Sequence, residues 1–294
     1  MFKSGFVAIV GRPNVGKSTL LNTLAGQKIA IVSNKPQTTR TAIKGIINKK
    51  DAQIIFTDTP GIHKPKNKLG EKMEETINGA VEGVDIILYL IEATDKGIGL
   101  ANEFILNNVI KQKTKTILVI NKEDAVKKEN ILELIKMYSE RHEFEGIIPI
   151  SALKNEGVDV LMDKIIELLP EGPAYYDNEE WTDQTERQIV EETIREKALR
   201  SLDDEVPHGI AVEVITMKKR SNKELYDIEA TIYCEKKSHK GIVIGKDGAM
   251  LKQIGERARE DIEEMLGCHV NLQLWVKVKE DWRDNENKLK QIFH

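Results

Sequence analysis

The first 170 residues alternate short, unbroken apolar runs with amphipathic stretches. Phe6-Val7-Ala8-Ile9-Val10 is apolar throughout, the pattern of a parallel strand covered on both faces. Residues 18–26 predict a short helix with Leu20, Leu21 and Leu24 turned inward. Residues 43–48 and 53–57 read as strands across the polar turn Lys49-Lys50-Asp51, hence an antiparallel hairpin. Leu69, Met73, Ile77 and Val81 recur at four-residue spacing and predict a helix. Residues 84–90 and 116–120 are two more buried strands, with a helix around 104–110 between them. A helix over 130–142, a strand over 146–150 and a helix carrying Val158, Leu161, Ile165 and Leu168 follow. Strand and helix in alternation predict a mostly parallel, doubly wound α/β sheet.

Pro170-Glu171-Gly172-Pro173 stops the last helix, and the acidic run Asp177-Asn178-Glu179-Glu180 follows. This composition predicts a linker over 171–182 between a first domain, 1–170, and a second, 183–294. The second domain reads as α+β. Val190 (with Ile189), Ile194, Ala198 and Leu202 make a helix stripe; 210–215 and 228–234 alternate as strands. Residues 241–244 lead into Gly245-Lys246-Asp247-Gly248, then a long helix carries Leu251, Ile254, Ala258, Ile262 and Met265. A last strand puts Val270, Leu272, Leu274, Val276 and Val278 on one face and Asn271, Gln273, Trp275 and Lys277 on the other, before a C-terminal helix.

Composition narrows the class. The chain has 294 residues, 40% hydrophobic and 31% charged, ample for two packed cores. Its net charge of −4 gives no global basic field, so any nucleic-acid contact must come from a local patch. The longest strongly apolar stretch, 84–93, falls short of the ~20 residues that span a bilayer. The first residues run straight into a strand without a signal-peptide core, so a cytoplasmic protein is expected. Cys234 and Cys268 are too few for a disulfide framework or a zinc site and are expected to be buried, inert thiols.

Gly11-Arg12-Pro13-Asn14-Val15-Gly16-Lys17-Ser18, with Thr19 after it, follows a buried strand and opens a helix. That is where a phosphate-binding loop must sit: its amides and the helix dipole favour an anion, Lys17 reaches the β- and γ-phosphates, and Ser18 takes Mg²⁺. Asp58-Thr59-Pro60-Gly61 leaves the apolar strand at its carboxyl end, so Asp58 can hold Mg²⁺ directly or through water and the Gly61 amide can bond the γ-phosphate. In Asn121-Lys122-Glu123-Asp124, Asp124 can accept from guanine N1–H and N2–H₂, Lys122 can lay its stem on the base, and Asn121 can tie this loop to the phosphate loop. Ser151-Ala152 can offer an amide to guanine O6. Each of the shorter motifs is weak alone; the four in order, each at a strand's carboxyl end, specify guanine nucleotide binding, with Lys17 and Gly61 at the reacting centre.

These motifs resemble the TrmE–Era–EngA group of P-loop GTPases, and Pro36-Gln37-Thr38-Thr39-Arg40 narrows the resemblance to the Era family. The resemblance implies that Thr39, less so Thr38, meets Mg²⁺ and the γ-phosphate. Ile62 stands where Ras-like enzymes place a glutamine; it cannot orient water, which implies slow intrinsic hydrolysis. The resemblance also implies potassium as a further cofactor, at Asn14. Ile244-Gly245-Lys246-Asp247-Gly248, with Lys252, joins two helical segments within an αββααβ order, which resembles a type II KH domain. Its loop would clamp single-stranded RNA, aided by the local basic run Lys236, Lys237, Lys240, Lys246 and Lys252. Likeness to the Era family implies the 3′ end of small-subunit rRNA as ligand, the 30S subunit as partner, and peripheral association with the inner membrane face; a monomer is expected. His208, His239 and His269 have no metal-ligand spacing, Trp275 and Trp282 read as structural, and Asp203, Asp204 and Glu205 as a solvated helix end. The competing readings are a small-molecule kinase, a membrane or cell-cycle regulator, and an RNA-binding scaffold indifferent to nucleotide.

Overall fold

The computed structural model of the chain describes residues 1–35, 37–62, 67–221 and 224–292. They divide into two compact units with the break after Asp183; the short pieces 33–38 and 65–71 count with the second.

The first unit follows the order β1 (Lys3–Gly11), α1 (Lys17–Ala25), β2 (Ile43–Lys49), β3 (Ala52–Asp58), α2 (Lys68–Val81, of this unit from Lys72), β4 (Ile86–Glu92), α3 (Leu100–Gln112), β5 (Lys115–Asn121), α4 (Lys128–Ser139), β6 (Gly146–Pro149) and α5 (Val158–Leu168). The six-stranded sheet has the order β2-β3-β1-β4-β5-β6, with β2 antiparallel to β3 and the other pairs parallel. The unbroken apolar runs are explained by layers on both faces. Val7, Ile9, Leu88 and Val119 meet α1 and α5 on one side; Ala8, Val10, Tyr89 and Leu118 meet α3 and α4 on the other. Each large side chain buried there contributes about 1.5–3 kcal/mol.

The strand expected to start at Val84 starts at Ile86, because the Asp85 carboxylate turns back to accept the Phe6 amide at 2.8 Å. The helix expected over 130–142 starts two residues earlier and stops at Ser139. The largest departure is at 171–182. Instead of a free linker, this segment is a strap laid along β1, β3 and β2. Gly172 N donates to Phe2 O, Ile46 N to Trp181 O (3.0 Å), and Thr182 Oγ1 to Lys44 O (2.8 Å). The buried Gln53 side chain accepts the amides of Tyr175 and Tyr176 and donates to Tyr176 O. Backbone pairing of this sort leaves no hydrophobic period to read.

The second unit runs α6 (Glu186–Ser201), β7 (Ala211–Lys219), β8 (Leu225–Cys234), α7 (Lys237–Ile244), α8 (Ala249–Leu266), β9 (His269–Val278) and α9 (Glu286–Ile292). A capping box between Thr185 and Gln188 starts α6. The three-stranded sheet β7-β8-β9 pairs antiparallel, then parallel. Val190, Ile194 and Ala198 of α6 and Ile254, Ala258 and Ile262 of α8 bury against Ile228, Ala230 and Ile232. Trp282 is buried and donates to Gly209 O, as a structural residue should; Trp275, expected in the same role, is 58% exposed on the solvent side of β9. Cys234 is buried, whereas Cys268 sits half-buried in the turn before β9, outside any strand. Among the described residues no helix is long and apolar enough to cross a membrane, and no cluster of His, Cys, Asp or Glu could hold a metal.

Candidate functional site

The carboxyl ends of β1, β3, β4 and β5 and the loop after β6 bring the motifs of the first unit to one edge of the sheet. After β1 the chain turns through Asn14 (φ 65°) and Gly16 (φ 100°) before α1 begins at Lys17. Gly16 is obligatory: a Cβ there would overlap Asn121 Nδ2 as well as strain the left-handed backbone. That same Nδ2 donates to Val15 O at 2.8 Å, while Asn121 Oδ1 accepts the Ala152 amide at 3.0 Å. One asparagine thus ties the loop after β5 to the loops after β1 and β6. Thr59 Oγ1 donates to Ile9 O and pins the start of the 58–61 loop. The Ile62 amide donates to Gly11 O at 3.2 Å, and Gly61 lies so close to Pro13 that a Cβ would come within 2.6 Å of its Cα.

At the floor of this edge Lys17 is buried, its ammonium donating to Gly11 O (3.2 Å) and Arg12 O (2.9 Å). Burial lowers its pKa to about 8, against the attraction of Asp58. Asp58 is fully buried, and burial raises its pKa despite Lys17, Ser18 and Thr39. Ser18 Oγ donates to Asp58 Oδ2 at 2.6 Å and lies 2.9 Å from Thr39 Oγ1, which itself reaches Oδ2 at 3.3 Å. Asp58 Oδ1 is buried with no hydrogen bond. Three hard oxygens around an unsatisfied buried carboxylate oxygen fit a magnesium ion. Thr39, not Thr38, makes this approach; the Thr38 hydroxyl donates to Lys35 O at 2.6 Å, and Pro36 of the same motif lies outside the described residues.

The depressed pKa of Lys17 predicts a pH effect in the nucleotide-free protein. Below about pH 8 the lysine is charged both folded and unfolded, so the cost of burying it is present in full. Between about 8 and the ordinary 10.5 only the unfolded chain keeps the proton, so stability rises with pH there, by roughly 1–2 kcal/mol from pH 7.5 to 9.5. Urea midpoints at those two pH values should show the rise in the wild type and a flat response in Lys17→Met.

Farther along the edge, Asp124 sits in the short 3-10 turn Glu123–Ala125. Ser151 Oγ donates to its Oδ1 at 2.7 Å and holds its pKa below the usual range, with Lys154 Nζ 3.8 Å from Oδ2. Burial, with Glu156 and Asp124 nearby, raises the pKa of Glu123. An ionised, acceptor-only carboxylate fixed by a hydroxyl matches the adjacent N1–H and N2–H₂ donors of guanine. The Lys122 ammonium donates to Asn14 O at 2.9 Å and to Glu92. The Ile62 side chain packs with the cluster of Val10, Val81 and Ile105 in a groove between α2 and α3. Motif reading missed Glu92, Lys154 and Asp95, whose carboxylate pairs with Arg12 at 2.6 Å and accepts from Asn102 at 2.9 Å. Their only sequence signal is charge just past a buried strand or beside a motif.

In the second unit Gly245 (φ 74°), Asp247 (φ 51°) and Gly248 (φ 80°) turn the chain sharply between α7 and α8. A Cβ on Gly245 would meet Met250 Cβ at 2.7 Å. Lys246, Asp247 and Lys252 are exposed, as are Lys236, Lys237 and Lys240, while Ile244 packs on the core. Lys252 lies 3.9 Å from Glu256, a weak exposed pair that leaves it available.

A family model described as "50S ribosome-binding GTPase" matches residues 6–122, and one described as "KH domain" matches 205–283. The chain is 56% identical over 291 residues to GTPase Era of Caldicellulosiruptor saccharolyticus, covering 99% of this chain and 97% of the relative. It is 53% identical, with the same coverage, to GTPase Era of Ruminiclostridium cellulolyticum. Among solved structures it overlays on Era in complex with MgGDPNP and nucleotides 1506–1542 of 16S ribosomal RNA, with TM-score 0.97, 42% identity and 99% of each chain covered. A tyrosine-to-alanine variant of Aquifex aeolicus Era bound to GDP and aluminium fluoride matches with TM-score 0.96, 42% identity and the same coverage.

Proposed function

Since the chain belongs to the Era family of GTPases, we propose that it is a slow GTP-hydrolysing switch that binds the single-stranded 3′ end of small-subunit rRNA and assists assembly of the 30S subunit, as a monomer in the cytoplasm. The observation that supports this most is one chain holding both a complete guanine-nucleotide edge and a glycine-flanked basic loop in a KH fold. The solved Era that carries MgGDPNP and 16S rRNA supports the same ligands here.

Each residue's part follows from its position. Lys17 lies under the loop amides and neutralises β- and γ-phosphate oxygens. Ser18, Thr39 and Asp58 would hold Mg²⁺, which when bound would withdraw charge from the β- and γ-phosphate groups. Thr39 and the Gly61 amide sense the γ-phosphate, so the loops that carry them order with GTP and relax with GDP. Ile62 offers no hydrogen bond to the attacking water, so catalysis rests on charge stabilisation and the intrinsic rate is low. Asn14, exposed at the rim of the phosphate loop, is the oxygen donor proposed for a potassium ion. Hydrolysis should then run faster in K⁺ than in Na⁺ at equal ionic strength; equal rates would remove that ion. In the KH fold, the glycines let the loop between α7 and α8 approach the RNA backbone, with Lys246 and Lys252 on its phosphates.

The test is the affinity of a fluorescent oligonucleotide copying the rRNA 3′ end, with the protein loaded with a non-hydrolysable GTP analogue, GDP or nothing. Tighter binding in the GTP-like state is expected. Equal binding in all three states would favour a nucleotide-indifferent scaffold, and phosphate transfer to an acceptor other than water would favour a kinase.

A further inference from the structure

We propose that Glu92 is a positioning residue for the guanine base, acting through Lys122; the inference rests on the guanine site proposed above and concerns a residue outside its motifs. β4 and β5 are paired so that Glu92 stands beside Asn121, and the ladder continues one step as Ala93 N donates to Asn121 O at 2.8 Å. The chain then leaves β5 in a left-handed conformation at Lys122 (φ 65°), and Glu123 N bonds Ile150 O at 3.1 Å. The backbone of Lys122 is therefore fixed on both sides, and only its long side chain remains to be placed.

That side chain is held at its far end by oxygens from two other elements. Its ammonium donates to the Glu92 carboxylate at the end of β4 and to Asn14 O of the phosphate loop at 2.9 Å. Glu92 is itself oriented, since Thr94 Oγ1 donates to its Oε2 at 3.2 Å. Lys122 is thus a rail stretched between the loop that carries Asp124 and the loop that carries the phosphates. Its methylenes are the surface on which a purine plane would lie. A lysine fixed at both ends has already lost its rotamer freedom before the base arrives, whereas a free one must lose it on binding. The Lys122 side chain is 40% exposed, and ion pairs that wet contribute little to folding. The role of the pair is accordingly in orienting Lys122, not in stability.

The measurement is release of fluorescent mant-GDP from the full-length wild type, Glu92→Gln, Glu92→Ala, Lys122→Ala and the double variant, with thermal midpoints alongside. Glu92→Ala should release mant-GDP about three- to tenfold faster, the range that one lysine's rotamer freedom allows. Glu92→Gln, which keeps an acceptor, should fall between it and the wild type. The midpoints should hardly move, and Glu92→Ala should add nothing once Lys122 is gone. Unchanged release in Glu92→Ala with a wild type that binds normally would overturn the role of Glu92 alone. An equal effect of Glu92→Ala with and without Lys122 would show a general loosening of β4 and overturn it too. A wild type that does not bind mant-GDP would overturn both this inference and the guanine site beneath it.

Discussion

An Asp124→Asn variant should bind GTP and GDP about 10²–10⁴-fold more weakly than the wild type and accept xanthosine nucleotides in their place. The geometry fixes both halves of this result. Ser151 Oγ donates to Asp124 Oδ1 and keeps the carboxylate ionised, so both of its oxygens present lone pairs. Guanine offers two adjacent donors to such a group. An asparagine in the same place presents one oxygen and one NH₂, and the NH₂ faces a donor of guanine, leaving two donors opposed and unpaired. Xanthine has a carbonyl where guanine has its amine, so the NH₂ of the introduced asparagine gains a partner there. Because Asp124 packs on no apolar core, the variant should fold as the wild type does. Titration with mant-GDP and competition by XDP measure the exchange; GDP affinity within threefold of wild type would mean that Asp124 does not read the base.

Lys17→Ala should slow single-turnover GTP hydrolysis at saturating nucleotide by about 10³-fold, as removal of a buried donor to developing charge does in other sites. Lys17 is 6% exposed, and among the described residues its ammonium meets loop carbonyls and the nearby Asp58. Such a charge is costly to bury, and a bound phosphate would offset that cost. The same reasoning predicts an opposite sign for stability. Without nucleotide, Lys17→Ala should be no less stable than the wild type, because the buried charge goes with the side chain. A dead and unfolded variant would point to a structural lysine; a folded variant that hydrolyses at the wild-type rate would place the chemistry elsewhere.

The sequence is most informative where burial and phosphate chemistry both constrain it. A strand covered on both faces reads as Phe6-Val7-Ala8-Ile9-Val10, and the phosphate loop needs Gly16 because no Cβ fits beside Asn121. The same logic locates Asp58 and Asn121, whereas Thr39 follows from the resemblance to the Era family; the fold gathers all three at one sheet edge. What escapes it is recognition by geometry alone. Glu92 and Asp95 are charged residues after an apolar strand, a position that carries no motif, and only the neighbouring loops give them partners. Ile62 is legible as a side chain that cannot hydrogen-bond water, but its packing in the groove between α2 and α3 depends on helices far along the chain. Trp275 and Trp282 show the limit of residue type: alternation places Trp275 on the outer side of β9, yet an aromatic invites a structural role, and of this pair Trp282 has one.

The strap over 171–182 determines where the first unit can be cut. β2 is the outermost strand of its sheet, and its outer backbone groups at Lys44 and Ile46 are met by Thr182 and Trp181. A fragment ending at Pro170, the end of the first domain as read from the sequence, would expose those groups to pairing with a second molecule. It would also strip the Gln53 side chain of its hydrogen-bond partners on Tyr175 and Tyr176. Such a fragment should self-associate through β2, whereas one ending at Asp183 should stay monomeric and bind GDP.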